Sequence, residues 1–142
     1  MEKIDEQAER GITLAAEMLG PKFGENMRAH ISSGGFASAI ARNSMVHAYT
    51  DCWSRPGLTR QQRSLVTIAA LIGLRQPNEL RNHIRIGVAN GLTVREIEEI
   101  LIQLSTYVGY PAIASATTAV VEVLRELGLA LDARTSEERG VL

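Results

Sequence analysis

A chain of 142 residues, 45% hydrophobic and 22% charged, has the length and composition of a single globular domain spanning 1–142. A domain of that size buries roughly 68–70% of the surface its extended chain exposes, so it needs neither a disulfide nor a metal to fold. With 15 basic and 16 acidic side chains the net charge is −1, which argues against nucleic-acid binding by bulk charge and against a polybasic membrane anchor.

No apolar run approaches the roughly 18 residues of a membrane span. The charged opening, Lys3-Ile4-Asp5-Glu6, is not expected to be a secretory signal. Cys52 is the only cysteine. That excludes an intrachain disulfide, a CxxC redox pair and a multi-cysteine zinc site, and makes a reducing cytoplasm the expected compartment.

Helical periodicity runs through nearly the whole chain. Ile4, Ala8, Ile12, Ala15 and Leu19 form one stripe, ended by Gly20-Pro21. A short helix is expected over Glu25–Ile31, then a break at Ser32-Ser33-Gly34-Gly35, then a helix over about Phe36–Trp53. Arg55-Pro56-Gly57 is a turn. Thr59 with Gln62 has the form of a capping box. The helix it opens carries Leu65, Val66, Ile68, Ala69, Ala70, Leu71 and Ile72, apolar nearly all round. Burial on most faces is expected there, centrally or at a subunit contact. Pro77 suits the first turn of the next helix, which ends near Asn90-Gly91. Thr93 with Glu96 forms a second capping box ahead of Ile97, Ile100, Leu101 and Leu104. Tyr107 to Pro111 is a break. A last helix follows, with Val120, Val123, Leu124 and Leu127, and Gly128 ends it. No strand alternation competes. The expected class is all-α, a compact array of about six or seven helices with its core in 36–128. The polar segment 129–142 is expected to be a disordered tail or an arm on a neighbouring subunit.

Chemistry concentrates in a few residues. Glu79 and His83 lie four apart on one predicted helix and so share a face. A carboxylate beside an imidazole raises its pKa and orients it, which is the form of an acid–base pair. The same Glu79 also suits the helix dipole, and His83 also suits a core. Arginines cluster nearby at Arg55, Arg60, Arg63, Arg75, Arg81 and Arg85. A guanidinium clamps a carboxylate in two-point fashion, and it equally forms structural ion pairs. Trp53 and Tyr110 are candidate pocket walls, or packing residues. Cys52, His30 and His47 have no ligand-like or activating neighbours in sequence, and three scattered histidines make no metal motif.

These motifs in this order resemble the 4-carboxymuconolactone decarboxylases. The resemblance is carried by Trp53-Ser54-Arg55-Pro56-Gly57-Leu58, Arg63-Ser64-Leu65, Glu79-Leu80 with His83, and Asn90-Gly91-Leu92-Thr93. Glu96-Ile97 with Glu99, and Tyr107 with Gly109 and Pro111, complete it. It covers about Trp53 to Leu127. The wider superfamily includes the alkyl hydroperoxidase D proteins, which carry two cysteines seven and four residues before a histidine. Gln76 and Glu79 stand at those positions here, so the thiol peroxidase chemistry is not expected.

The resemblance implies an alkyl hydroperoxidase D-like helical subunit in a ring-like homo-oligomer, a trimer or hexamer. It also implies a cofactor-free lyase, with no metal, acting on a small lactone with two carboxylates in protocatechuate catabolism. His83 would be the proton donor, with Glu79 coupled to it. Arg63 would hold a substrate carboxylate, helped by Arg55 or Arg85, with Trp53 and Tyr110 as walls. The alternatives are a related lactone or enol isomerase, a decarboxylase of another small acid, or a non-catalytic oligomeric helical protein that binds a small acid.

Overall fold

Asp5 starts the first helix by accepting the Ala8 backbone N–H at 3.1 Å. Its second oxygen takes Arg42 Nε at 2.6 Å. The computed structural model describes residues 3–141. It contains α1 (Glu6–Leu19), α2 (Pro21–Ser32), α3 (Ser38–Ser44), a π-helix (Met45–Trp53), α4 (Arg60–Gly73), α5 (Pro77–Ala89), α6 (Val94–Val108) and α7 (Tyr110–Glu126). No strand occurs among the described residues, and the all-α class holds. The chain divides into two compact units, one running to Arg60 and one from Gln61 onward.

In the first unit α1 buries Ala8, Gly11, Ile12, Ala15 and Met18 along one face. Gly11 is there because the π-helix backbone passes too close for a side chain. A Cβ on it would overlap the Met45 carbonyl oxygen and lie 2.6 Å from the carbonyl carbon. Thr50 Oγ1 closes the same seam by donating to the Gln7 carbonyl at 2.7 Å. Helix α2 is longer than the expected Glu25–Ile31 segment. Gly20, at φ +93°, makes the turn from α1 in one residue, and Pro21 starts the helix at once.

The helix expected over Phe36–Trp53 is two elements. Ala37, at φ +66°, precedes α3. From Met45 the winding loosens, and the Ser54 N–H donates to the Tyr49 carbonyl five residues back, at 3.1 Å. Apolar periodicity does not distinguish these windings, because both leave Met45, Val46, Tyr49 and Trp53 buried.

The second unit packs Ile68 and Ile72 of α4, Leu80 and Ile84 of α5, Ile97 of α6 and Val120 and Val123 of α7 into one core. Within the single chain the buried residues of α4 are Ser64, Ile68 and Ile72, along one face, while Leu65, Val66 and Ala70 are exposed, the face for which the sequence offers a subunit contact as cover. Helix α5 starts at Pro77 and stops at Gly91 (φ +95°), where Leu92 N–H caps the Gly87 carbonyl and Gly91 N–H the Val88 carbonyl. The Thr93–Glu96 capping box is present in both directions. Gly109, at φ +88°, divides α6 from α7.

Two ion pairs join α5 to α7 one turn apart, Arg81 to Glu122 at 2.7 Å and Arg85 to Glu126 at 2.6 Å. The segment after Gly128 is held on its own chain and is not a free tail. Arg125 of α7 binds the Ala133 carbonyl and both oxygens of Glu138, the latter at 2.7 and 2.5 Å. Those contacts, with the Thr135 N–H, hold the Glu138 carboxyl down to about 2. The polar composition of 132–140 concealed this clasp, whose anchor lies in α7 itself.

Candidate active site

Three contacts fix α4 against the C-terminal half of α5. Asn90 Nδ2 donates to Ser64 Oγ at 3.0 Å, and Gln61 Nε2 donates to the Gly91 carbonyl at 3.1 Å. Between them Gly87 leaves room for Ile68, whose Cδ1 would stand 3.1 Å from a Cβ at that position. Arg63 is therefore carried by a helix tied at these points to the one that carries Glu79 and His83. Arg63 is half-buried, with its Nε shut off from solvent.

Glu79 lies in the first turn of α5, where the helix dipole favours a carboxylate, and its side chain is exposed. His83 follows one turn later, half-buried, with Nδ1 closed to solvent. Burial pushes the imidazole below its ordinary 6.5, and the negative charge of Glu79 pulls it part of the way back. Desolvation outweighs that charge, so the net shift is downward and favours the neutral ring. The expected direction from spacing alone was upward; partial burial, invisible in sequence, reverses it.

The remaining expected site residues are placed differently. Arg85 is engaged by Glu126 in the α5–α7 seam, so its guanidinium is already committed to a structural pair. Trp53 is 9% exposed and belongs to the first unit's core, stacked on Tyr49 with ring centroids 6.3 Å apart and planes 18° apart. Arg55 is exposed on the turn after the π-helix. Tyr110 starts α7 and is 72% exposed. Sequence reasoning missed the Ser64–Asn90 tie; a serine amid the apolar residues of α4 and an asparagine at a helix end were its only signals. Among the described residues no three His, Cys, Asp or Glu side chains gather as a metal site.

A neutral half-buried imidazole, a carboxylate one turn before it and an arginine on the keyed neighbouring helix are equipment for acid–base chemistry on a small anion. The family is definite: residues 41–122 match the carboxymuconolactone decarboxylase family, and the chain belongs to it. The chain is 38% identical over 129 residues to a 4-carboxymuconolactone decarboxylase of Acinetobacter baylyi, covering 89% of this chain and 93% of that one. It is 29% identical over 119 residues to a nitrosuccinic acid decarboxylase of Metarhizium robertsii, covering 84% and 82%.

Proposed function

We propose that the protein is a carboxy-lyase that converts 4-carboxymuconolactone to the enol-lactone of 3-oxoadipate, a step of aromatic catabolism. The observation that carries this is the 38% identity to the Acinetobacter decarboxylase over nearly the full length of both chains. Decarboxylation of a different small acid is the second reading, favoured by the likeness to the nitrosuccinic acid enzyme.

The chemistry suits the residues. The departing carboxylate sits on a ring carbon whose bonding electrons flow through the ring double bond into the lactone carbonyl. The lactone is its own electron sink, so the reaction calls for no organic cofactor. Carbon dioxide leaves, a dienolate forms, and a proton must be delivered to the carbon beside the lactone carbonyl. His83 is the proposed donor. Its resting neutrality is a useful property: a substrate with two carboxylates raises the imidazole's proton affinity on binding, so the proton is held where and when it is needed. Glu79 acts through His83 by favouring the protonated ring. Arg63 is the proposed carboxylate clamp, and directed donors would stabilise the dienolate oxygen. Arg55, Trp53 and Tyr110 remain proposed as substrate-side residues; Arg85 is set aside because Glu126 holds it. The working form is proposed to be a cytoplasmic homo-oligomer, trimer or hexamer. No helix among the described residues is long and apolar enough to cross a membrane.

The test is to mix purified protein with freshly generated 4-carboxymuconolactone, without metal or cofactor, and follow carbon dioxide and enol-lactone. Turnover abolished by His83→Ala supports both reaction and donor. No turnover by folded wild-type protein sinks the substrate assignment, and nitrosuccinate is then the next acid to try.

A further inference from the structure

A cleft of about 120 Å³ opens where α4 ends, α5 begins and the first turns of α7 pass. Ile72, Leu80 and Ala112 form apolar walls, and Arg75, Gln76 and Ser115 supply the polar lining. Arg75 is its only charged lining residue, so the cleft is cationic. Other clefts in the second unit have the opposite character, one lined by Glu96 and Glu99, another by Glu98 and Asp132.

Arg75 itself is unusually placed. Helix α4 closes with Gln76 N–H on the Leu71 carbonyl and Arg75 N–H on the Ile72 carbonyl. That closure puts residue 75 in the left-handed region, at φ +55°, where glycine is the favoured residue. Among the described residues no carboxylate pairs with it, whereas Arg81, Arg85 and Arg125 are all engaged by glutamates. Here a long cationic side chain occupies a position whose backbone favours none.

We propose that this cleft binds a small carboxylate-type anion, with the Arg75 guanidinium as counter-ion and Gln76 and Ser115 as hydrogen-bonding partners. The size sets the class. A cleft of about 120 Å³ with one cationic and two neutral polar lining residues suits acetate, hydrogencarbonate or one carboxylate arm of a larger acid. The anion is thus either free in solution or the end of a substrate, and the proposal does not depend on the decarboxylation reading.

The experiment is a titration of the full-length ¹⁵N-labelled protein with sodium acetate, and separately with sodium hydrogencarbonate, at ionic strength held constant with chloride. Saturable shifts at the Gln76 and Ser115 amides are expected. Arg75→Gln should weaken them about tenfold or more, the loss of one charge-assisted hydrogen bond, while Arg75→Lys retains part of the affinity. Arg75→Gly suits the backbone and should melt no lower than wild type, so its loss of binding cannot be laid to unfolding. No saturable shift in wild type, or equal affinity in Arg75→Gln, overturns the proposal. Turnover kinetics then separate the sources. A raised KM at unchanged kcat in Arg75→Gln assigns the cleft to a substrate arm. Unchanged KM beside intact acetate binding in wild type assigns it to a free anion.

Discussion

Gly87 is the point at which a single methyl group tests the packing beneath the candidate site. It lies one turn after His83 on α5 and is buried. A Cβ there would stand 3.1 Å from Ile68 Cδ1 and 3.0 Å from Leu92 Cδ1. Both neighbours are themselves in the core, Ile68 at 0% and Leu92 at 4% exposure, so neither can swing out to solvent. Glycine to alanine inside a helix ordinarily gains about 1 kcal/mol. Overpacking costs about 1–3 kcal/mol, and a net loss of about 1 kcal/mol is expected for Gly87→Ala. Ile68→Val removes the Cδ1 methyl that the new Cβ meets, and alone costs about 1 kcal/mol. In the double variant the Ile68 contact disappears while the 3.0 Å approach to Leu92 Cδ1 stays, so part of the overpacking is relieved. It should therefore be more stable than the sum of the single effects by about 1 kcal/mol or more. Urea unfolding of the four proteins measures this directly. Additivity to within about 0.5 kcal/mol, the behaviour of independent sites, would refute the contact on which the α4–α5 seam is argued. Arg63 and His83, the proposed clamp and donor, stand on the two helices this seam joins, so Gly87→Ala is expected to lower kcat/KM and the double variant to recover part of the loss.

His83→Ala should fold and lose about 10²–10⁴ in kcat, the usual worth of a positioned acid; near-wild-type turnover removes it from the mechanism. Because burial holds folded His83 below 6.5, the unfolded chain takes up the proton first on acidification. Its contribution to stability is therefore complete above 6.5 and declines as pH falls from there toward the folded pKa. Melting curves of His83→Gln should show a flatter pH dependence over that interval, and an identical dependence contradicts the burial argument. Gly11→Ala forces a Cβ into the Met45 backbone, which no rotamer change relieves, and should cost on the order of 4 kcal/mol in urea unfolding; wild-type stability would mean the α1–π-helix approach is not this close. Thr93→Ala removes one half of a reciprocal cap on α6 and should cost about 1 kcal/mol in the same assay.

What the sequence disclosed was whatever depends on local chemistry. Gly20-Pro21, Pro77, Asn90-Gly91, Thr93–Glu96 and Gly128 mark helix ends because each satisfies or exempts particular backbone groups, and those groups are specified within a few residues. The π-helix was hidden because the change from α to π winding keeps the same apolar residues inside and alters only which carbonyl each N–H reaches. The one-sided burial of α4 was hidden because composition reports how apolar a helix is and not what covers it. Leu65 and Val66 are 36% and 62% exposed within one chain. The C-terminal clasp was hidden because Arg125 and Glu138 are 13 residues apart, across a break.

The arginines show why the candidate site was only half legible. Six of them cluster in the sequence between positions 55 and 85, and nothing local separates a substrate clamp from a structural strut. The fold sorts them by what stands opposite. Arg60 meets Glu17, Arg81 meets Glu122 and Arg85 meets Glu126, each at 2.6–2.7 Å. The two acids on α7 are four residues apart, matching the spacing of Arg81 and Arg85, so that pairing is a property of two helices in register and cannot be read from either alone. Three guanidiniums are thereby committed to holding the fold. Of the other three, Arg55 and Arg75 are exposed, and Arg63 alone is half-buried on a helix tied to that of His83 through Ser64 and Asn90. A charge partly withdrawn from water binds a carboxylate more strongly than one fully exposed. Of the three, Arg63 is therefore the residue whose replacement by glutamine should raise the KM for a dicarboxylate substrate most.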